Sequence, residues 1–242
     1  MDRRRSRGRT RLGHLQVIYD DNELIALNKP AGLLAVPLPL RRRDAAPSAY
    51  DLLKDYFRSH KRRPFVVHRI DRDTSGVVVF AKSAHAQEQL KEQFHRREPE
   101  RVYWAVVYGH PEPQAGIWRD HLLWDRRALI QKQTHARDPR GKEAVSEYRV
   151  LERFRDAAIV EVRLKTGKRN QIRIQAGLRG HALVGEQRYV FGLRALRTIP
   201  FPRQALHAYR VALRHPKSGR LLEFVAPLPE DLVKLIARLR KE

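Results

Sequence analysis

Cysteine is absent from this 242-residue chain, which excludes disulfide bonds, thiolate nucleophiles and cysteine-ligated metal. No apolar run approaches the ~20 residues that a membrane helix needs. The opening residues, MDRRRSRGRTRL, lack the apolar stretch of a secretory signal. Cofactor signatures are missing as well: there is no G-x-G-x-x-G, and Gly167-Lys168 has no upstream P-loop glycine. The 11 histidines are scattered without an H-E-x-x-H, so no metal and no cofactor is expected. Acidic residues are scarce, with 27 Asp+Glu against 50 Lys+Arg and a formal charge of +23. These absences leave a soluble chain, expected in the cytoplasm and away from membranes.

What is present is positive charge on a foldable sequence. Hydrophobic residues make up 42% and charged residues 32% of the chain, too apolar for a disordered basic tail. At ~100–200 residues per domain, the length allows one large or two small domains. A basic surface binds nucleic acid by releasing condensed counterions from phosphates. The alternative is that arginine-rich coding bias inflates the count and the side chains simply face water.

Residues 1–14 carry Arg3, Arg4, Arg5, Arg7, Arg9 and Arg11 against one Asp2, without apolar periodicity. They are expected to form a flexible basic arm. Residues 15–242 read as a single domain. Strands are predicted at Leu15–Tyr19, Leu24–Leu27, Phe65–Val67, Val77–Ala81, Val102–Tyr108, Val145–Leu151, Ala158–Leu164, Ala205–Val211 and Leu221–Val225. Helices are predicted over 49–58 behind Ser48, after Ser83 with Ala86, Leu90 and Phe94 on one face, over 170–178, and after Pro229. Residues 110–142 read as loops and short hairpins. Strands and helices alternate without a strict βαβ rhythm, which favours an α+β fold with a mixed sheet.

Two constellations stand out. In His68-Arg69-Ile70-Asp71-Arg72-Asp73-Thr74-Ser75-Gly76, a carboxylate lies between Arg69 and Arg72. Nearby positive charge keeps a carboxylate ionised, and an ionised carboxylate is a usable nucleophile. The alternative is that Asp71 or Asp73 closes a turn through backbone hydrogen bonds. In Lys165-Thr166-Gly167-Lys168-Arg169-Asn170-Gln171-Ile172-Arg173, a strand passes through a cationic turn into a helix. Helix N-termini attract phosphate, though a solvated basic face accounts for the same residues.

The 68–76 segment, followed by an apolar strand and Ala81-Lys82, resembles the signature of RluA-type RNA pseudouridine synthases. Asn28-Lys29-Pro30-Ala31-Gly32-Leu33, Arg101–Gly109, Thr166–Arg173, Gly180–Glu186, Leu206-His207-Ala208 and His215-Pro216 resemble the family's other segments, in its order. The resemblance implies the pseudouridine synthase fold, a mixed, largely antiparallel central sheet flanked by helices and loops. It implies an isomerase acting on uridines in structured RNA, tRNA or rRNA: N1–C1′ breaks, the base turns and C5–C1′ forms, with no metal or cofactor.

By the same resemblance Asp71 is the catalytic carboxylate, acting at C6 of the base, at C1′ or on the 2′ proton. Tyr103 is the tyrosine that stacks on the uracil, and Arg173 the arginine that pairs with the carboxylate. Arg69, Thr74, Lys168, Arg169, Asn170 and Gln171 form the expected substrate-binding set. Thr74, Ser75 and Gly76 shape the loop, and Lys29 is structural or RNA-facing. Where the family has His, this chain has Asn170 and Gln175, and Lys168 replaces an Arg. These departures are expected near the cleft, where they alter RNA placement.

Residues 1–14 are too few for the small S4-like RNA-binding domain of many relatives. RNA affinity is therefore expected from the catalytic domain, the Arg41–Arg43 loop, the Lys61–Arg63 run and the arm, and the working form is expected to be a monomer. The competing function is an inactive RNA-binding or RNA-folding protein on the same scaffold.

Overall fold

The computed structural model describes residues 11–12, 15–37, 47–58, 62–191 and 198–242. The arm arginines Arg3 to Arg9, the Arg41–Arg43 loop and Lys61 lie outside the described residues. The chain divides into two units, one of residues 1–99 and 210–227, the other of residues 100–209 and 228–242.

The first unit contains β1 (Arg11–Leu12), β2 (Leu15–Asp20), β3 (Leu24–Lys29), α1 (Ala49–Arg58), β4 (Phe65–Val66), β5 (Ser75–Ala81) and α2 (Ala84–His95). Strand β1 begins inside the span expected to be arm, pairing its backbone with β2. β3 pairs antiparallel with β2 and β5, and β4 pairs with β5. Every residue of β5 is buried, because helices cover alternate positions of the strand. Val78 and Phe80 pack with Leu53 and Phe57 of α1. Val77, Val79 and Ala81 pack with Ala86 and Leu90 of α2.

Both helix starts follow their sequence signals. Ser48 and Asp51 exchange bonds: the Ser48 N–H donates to Asp51 Oδ2 at 2.8 Å, and the Asp51 N–H to Ser48 Oγ at 3.3 Å. Ser83 Oγ accepts from the Ala86 N–H at 3.0 Å.

The second unit contains β6 (Glu100–Tyr108), β7 (Ala115–Asp125), β8 (Ile130–Thr134), β9 (Lys142–Arg153), β10 (Ala157–Leu164), α3 (Gln171–Leu178) and α4 (Glu230–Leu239). Its strands run β6-β10-β9-β7-β8, each pair antiparallel. Strand β11 (Leu206–Arg214) begins in this unit and ends in the first, where it pairs with β12 (Leu221–Val225). Val106 and Ile159 pack against Leu232, Leu235 and Ile236 of α4. Leu122 of β7 and Ala144 of β9 pack with Ile174 of α3.

Over residues 110–142, read as loops and short hairpins, the structure has the β7–β8 hairpin, with a first strand of 11 residues. Its inward positions include Asp120 and Gln131, 7% and 5% exposed. Polar residues there erase the apolar alternation that marks a half-buried strand.

Candidate active site

In the first unit the His68–Gly76 segment leaves β4 and re-enters the sheet at β5, where Gly76 lies opposite Lys29 of β3. Gly76 adopts φ +112°, a conformation open to glycine and strained for other residues. The Thr74 N–H donates to the Asp71 carbonyl at 3.2 Å, closing a turn over 71–74. Arg72 forks onto Asp73, with Nε 3.0 Å from Oδ1 and Nη2 3.2 Å from Oδ2.

Two side chains pin this loop. His68 Nε2 accepts the Val79 N–H at 3.0 Å, and its ring stacks on Phe94 with centroids 4.8 Å apart. Lys29, 0% exposed, donates from Nζ to the carbonyls of Pro30, Leu33 and Arg72 at 2.8, 2.7 and 2.8 Å. The buried ammonium ties the 30–33 turn to the centre of the Asp71 loop. Asp71 is half-buried, while Arg69 is exposed.

In the second unit Tyr103 sits on β6 opposite Val162 of β10 and is buried. The 165–170 turn rests on a buried polar network. Thr166 Oγ1 accepts the Val145 N–H at 2.9 Å and donates to Gln171 Oε1 at 2.8 Å. Gln171 Oε1 also accepts the Lys168 N–H, and its Nε2 donates to the Val145 carbonyl and Ser146 Oγ. Ser146 Oγ donates onward to Gln175 Oε1 at 2.7 Å. Gln175 Nε2 donates to Asp120 Oδ2 at 2.9 Å and to the carbonyls of Trp118 and Ala144.

This network fixes the turn that presents Lys168, Arg169 and Asn170. The Arg169 guanidinium lies 4.0 Å from the centroid of the Trp124 ring, a cation–π contact. Asn170 caps α3 with φ 53° and ψ 23°, the left-handed region that asparagine tolerates best among non-glycine residues.

Arg173, one turn into α3, is 12% exposed at its side chain and forks onto Glu186, with Nε to Oε2 at 2.6 Å and Nη2 to Oε1 at 2.7 Å. Burial pushes the Glu186 carboxyl up, but the Arg173 fork and backbone N–H donors outweigh it and hold the group below its ordinary value.

The family model described as RNA pseudouridylate synthase matches residues 23–177. An uncharacterized RNA pseudouridine synthase of Bacillus subtilis is 37% identical over 236 residues, which is 94% of this chain and 73% of the relative. The chain belongs to the RNA pseudouridine synthase family. Two relatives named ribosomal large subunit pseudouridine synthase D agree. The protein of Zymomonas mobilis is 35% identical, over 93% of this chain and 73% of its own. That of Escherichia coli K12 is 37% identical, over 94% and 71%. The solved structure of human RNA pseudouridylate synthase domain containing 4 superposes with a TM-score of 0.75 at 23% identity, covering 93% of this chain and 92% of that one. It shows the α+β pseudouridine synthase fold.

Within this family framework the expected site residues fall into distinct surroundings. Arg69 and Arg169 are exposed, and Lys168 and Asn170 half-exposed. Thr74 is 1% exposed, its hydroxyl buried without a hydrogen-bond partner among the described residues. Gln171 is 3% exposed, and its amide is engaged by the turn it supports.

Gln175, expected near the cleft as a departure that alters RNA placement, is instead 0% exposed inside the second unit. Its amide matches buried donors and acceptors that no single neighbour in sequence supplies. Arg72, expected to flank the catalytic carboxylate, has its fork on Asp73. Glu186 closes the family-like segment Gly180–Glu186, but its pairing with Arg173 spans 13 positions and has no local signal in the sequence. Among the described residues, no three His, Asp or Glu side chains group as a metal site, and no helix is long and apolar enough to cross a membrane.

Proposed function

We propose that this RNA pseudouridine synthase isomerises uridines in large-subunit rRNA, with Asp71 as the catalytic carboxylate. Tyr103 lies against the uracil and assists proton movement at C5, and Arg173 is the cation that serves the carboxylate. Arg69, Lys168, Arg169 and Asn170 meet the RNA, while Thr74 and Gln171 shape the two turns that carry the site. Extruding the target base costs a few kcal/mol, and an arginine that fills the vacated stack offsets part of that cost. Residues 15–242 act as one catalytic domain, in the cytoplasm, as a monomer, with RNA as the only partner required.

The observation that carries this function is the anchoring of the Asp71 loop. Its carboxylate-bearing turn is tied by Lys29 to one neighbouring turn and by His68 to β5, the rigid presentation that a reacting group needs. Large-subunit rRNA takes precedence over tRNA because two of the similar relatives are named for it.

The test is tritium release from C5-labelled, unmodified large-subunit rRNA, with labelled tRNA as a parallel substrate. Forming C5–C1′ displaces the C5 hydrogen to solvent while N1 takes up a proton. Wild type should release tritium from rRNA, and Asp71→Asn should release none while binding RNA equally well. Release from tRNA alone reassigns the substrate. Binding without release from either RNA replaces the enzyme with an RNA-binding protein on the same scaffold.

A further inference from the structure

We infer that Glu186 is a positioning residue for Arg173, setting which edge of the guanidinium is presented to the reacting groups. The role presupposes that the chain isomerises uridine with Arg173 in its site. A guanidinium carries five N–H donors in one plane. The Glu186 fork takes the Nε and Nη2 edge of Arg173, so Nη1 lies on the side turned away from that carboxylate.

The Glu186 carboxylate is itself tightly held. Its side chain is 0% exposed, and Oε1 also accepts the N–H groups of Gln187 and Arg188 at 3.1 and 2.9 Å. The preceding Gly185 has φ +76°, and a Cβ there would meet the Arg203 carbonyl oxygen at 2.0 Å. Only glycine therefore admits the backbone path that delivers Glu186. Three residues on, Tyr189 lies under the same guanidinium, its ring centroid 5.4 Å from the Arg173 Cζ. The Tyr189 hydroxyl accepts the Gln131 N–H and donates to Asn170 Oδ1. One segment thus sets the orientation of both Arg173 and Asn170.

Stability alone is a poor reason for this pair. Desolvating two charges consumes most of their mutual attraction, and apolar residues of similar volume often serve a core equally well. What a bidentate Arg–carboxylate pair adds is directional precision.

The experiment compares Glu186→Gln and Glu186→Asp with wild type, measuring kcat and KM for tritium release together with thermal melting. Glu186→Gln keeps the shape and removes the charge, so kcat should fall about tenfold or more with KM within about twofold, the pattern of lost alignment rather than lost RNA binding. Glu186→Asp keeps the charge one methylene further back and should recover part of kcat. If Glu186→Gln does not fold, Glu186→Asp decides alone, with a kcat deficit at unchanged KM expected. Wild-type kcat in a folded variant overturns the role, as does a deficit that scales with melting temperature and vanishes on cooling. A wild type that releases no tritium overturns both this role and the isomerase function, whereas an active wild type with equally active variants overturns only the role of Glu186.

Discussion

The ammonium of Lys29 lies 2.8 Å from the carbonyl oxygen of Arg72, 43 positions further along the chain. The same Nζ reaches Pro30 and Leu33, so one buried cation joins the turn after β3 to the loop that carries Asp71. Lys29→Met preserves side-chain length and removes that donor from three carbonyls. At about 1–3 kcal/mol for each buried group left unsatisfied, the loss of unfolding free energy should be about 3–5 kcal/mol. Urea titration measures it. A midpoint equal to wild type would mean that water or another group replaces the ammonium without cost.

Tyr19 marks a second tie within the first unit. Its hydroxyl donates to Asp21 Oδ2 at 2.6 Å, and the same oxygen lies 2.9 Å from His215 Nε2. Burial, then the hydrogen bond and charge of Asp21, push the Tyr19 hydroxyl up to about 12 from 10.0. The folded state favours the neutral phenol, so its stabilising contribution is complete below the unfolded value of 10.0 and is lost as pH rises towards about 12. Ultraviolet titration should show a late-ionising tyrosine in wild type that is missing in Tyr19→Phe. Superposable titrations of the two proteins would remove Tyr19 from this role.

Local signals made much of the fold legible. Ser48 with Asp51 and Ser83 with Ala86, Leu90 and Phe94 are short-range patterns, and the structure obeys them. The extent of the β7–β8 hairpin was less legible than its presence, because its inward Asp120 is matched from far away. Gln175 and Arg179 reach it from 55 and 59 positions along the chain, and no local window contains such a pairing. In the site, the motif residues marked the Asp71 loop and the 165–173 turn, but their supports were hidden. Lys29, read as structural or RNA-facing, is fully buried, and its carbonyl partner at Arg72 lies 43 positions away, beyond any local window. Glu186 reads as an ordinary acid after a glycine and holds Arg173.

The two positions where this chain departs from the family's histidines should behave differently. Gln175 is fully buried and makes bonds to Ser146, Asp120, Trp118 and Ala144. Gln175→Leu should destabilise the protein by about 2–4 kcal/mol in urea unfolding, through buried groups left without partners. Asn170 already occupies the left-handed region, so Asn170→Gly should stay within about 1 kcal/mol of wild type. Equal destabilisation by both would show that the Tyr189 bond to Asn170 matters as much as the interior network.

Arg169 and Arg173 lie four residues apart but should separate binding from turnover. Arg169 is exposed over the Trp124 ring, placed to meet a phosphate or a base. Arg173 is largely buried with its charge matched by Glu186. Each phosphate contact contributes about 0.7–0.9 to the slope of log binding constant against log salt. Arg169→Gln should therefore flatten the slope by about that amount and raise KM about fivefold with kcat retained at saturating RNA. Arg173→Gln should leave the slope unchanged and lower kcat. Binding titrations from low to moderate salt, run beside saturation kinetics, distinguish the two. A slope change in Arg173→Gln equal to that in Arg169→Gln would make Arg173 a phosphate ligand and take it out of the chemistry assigned to it here.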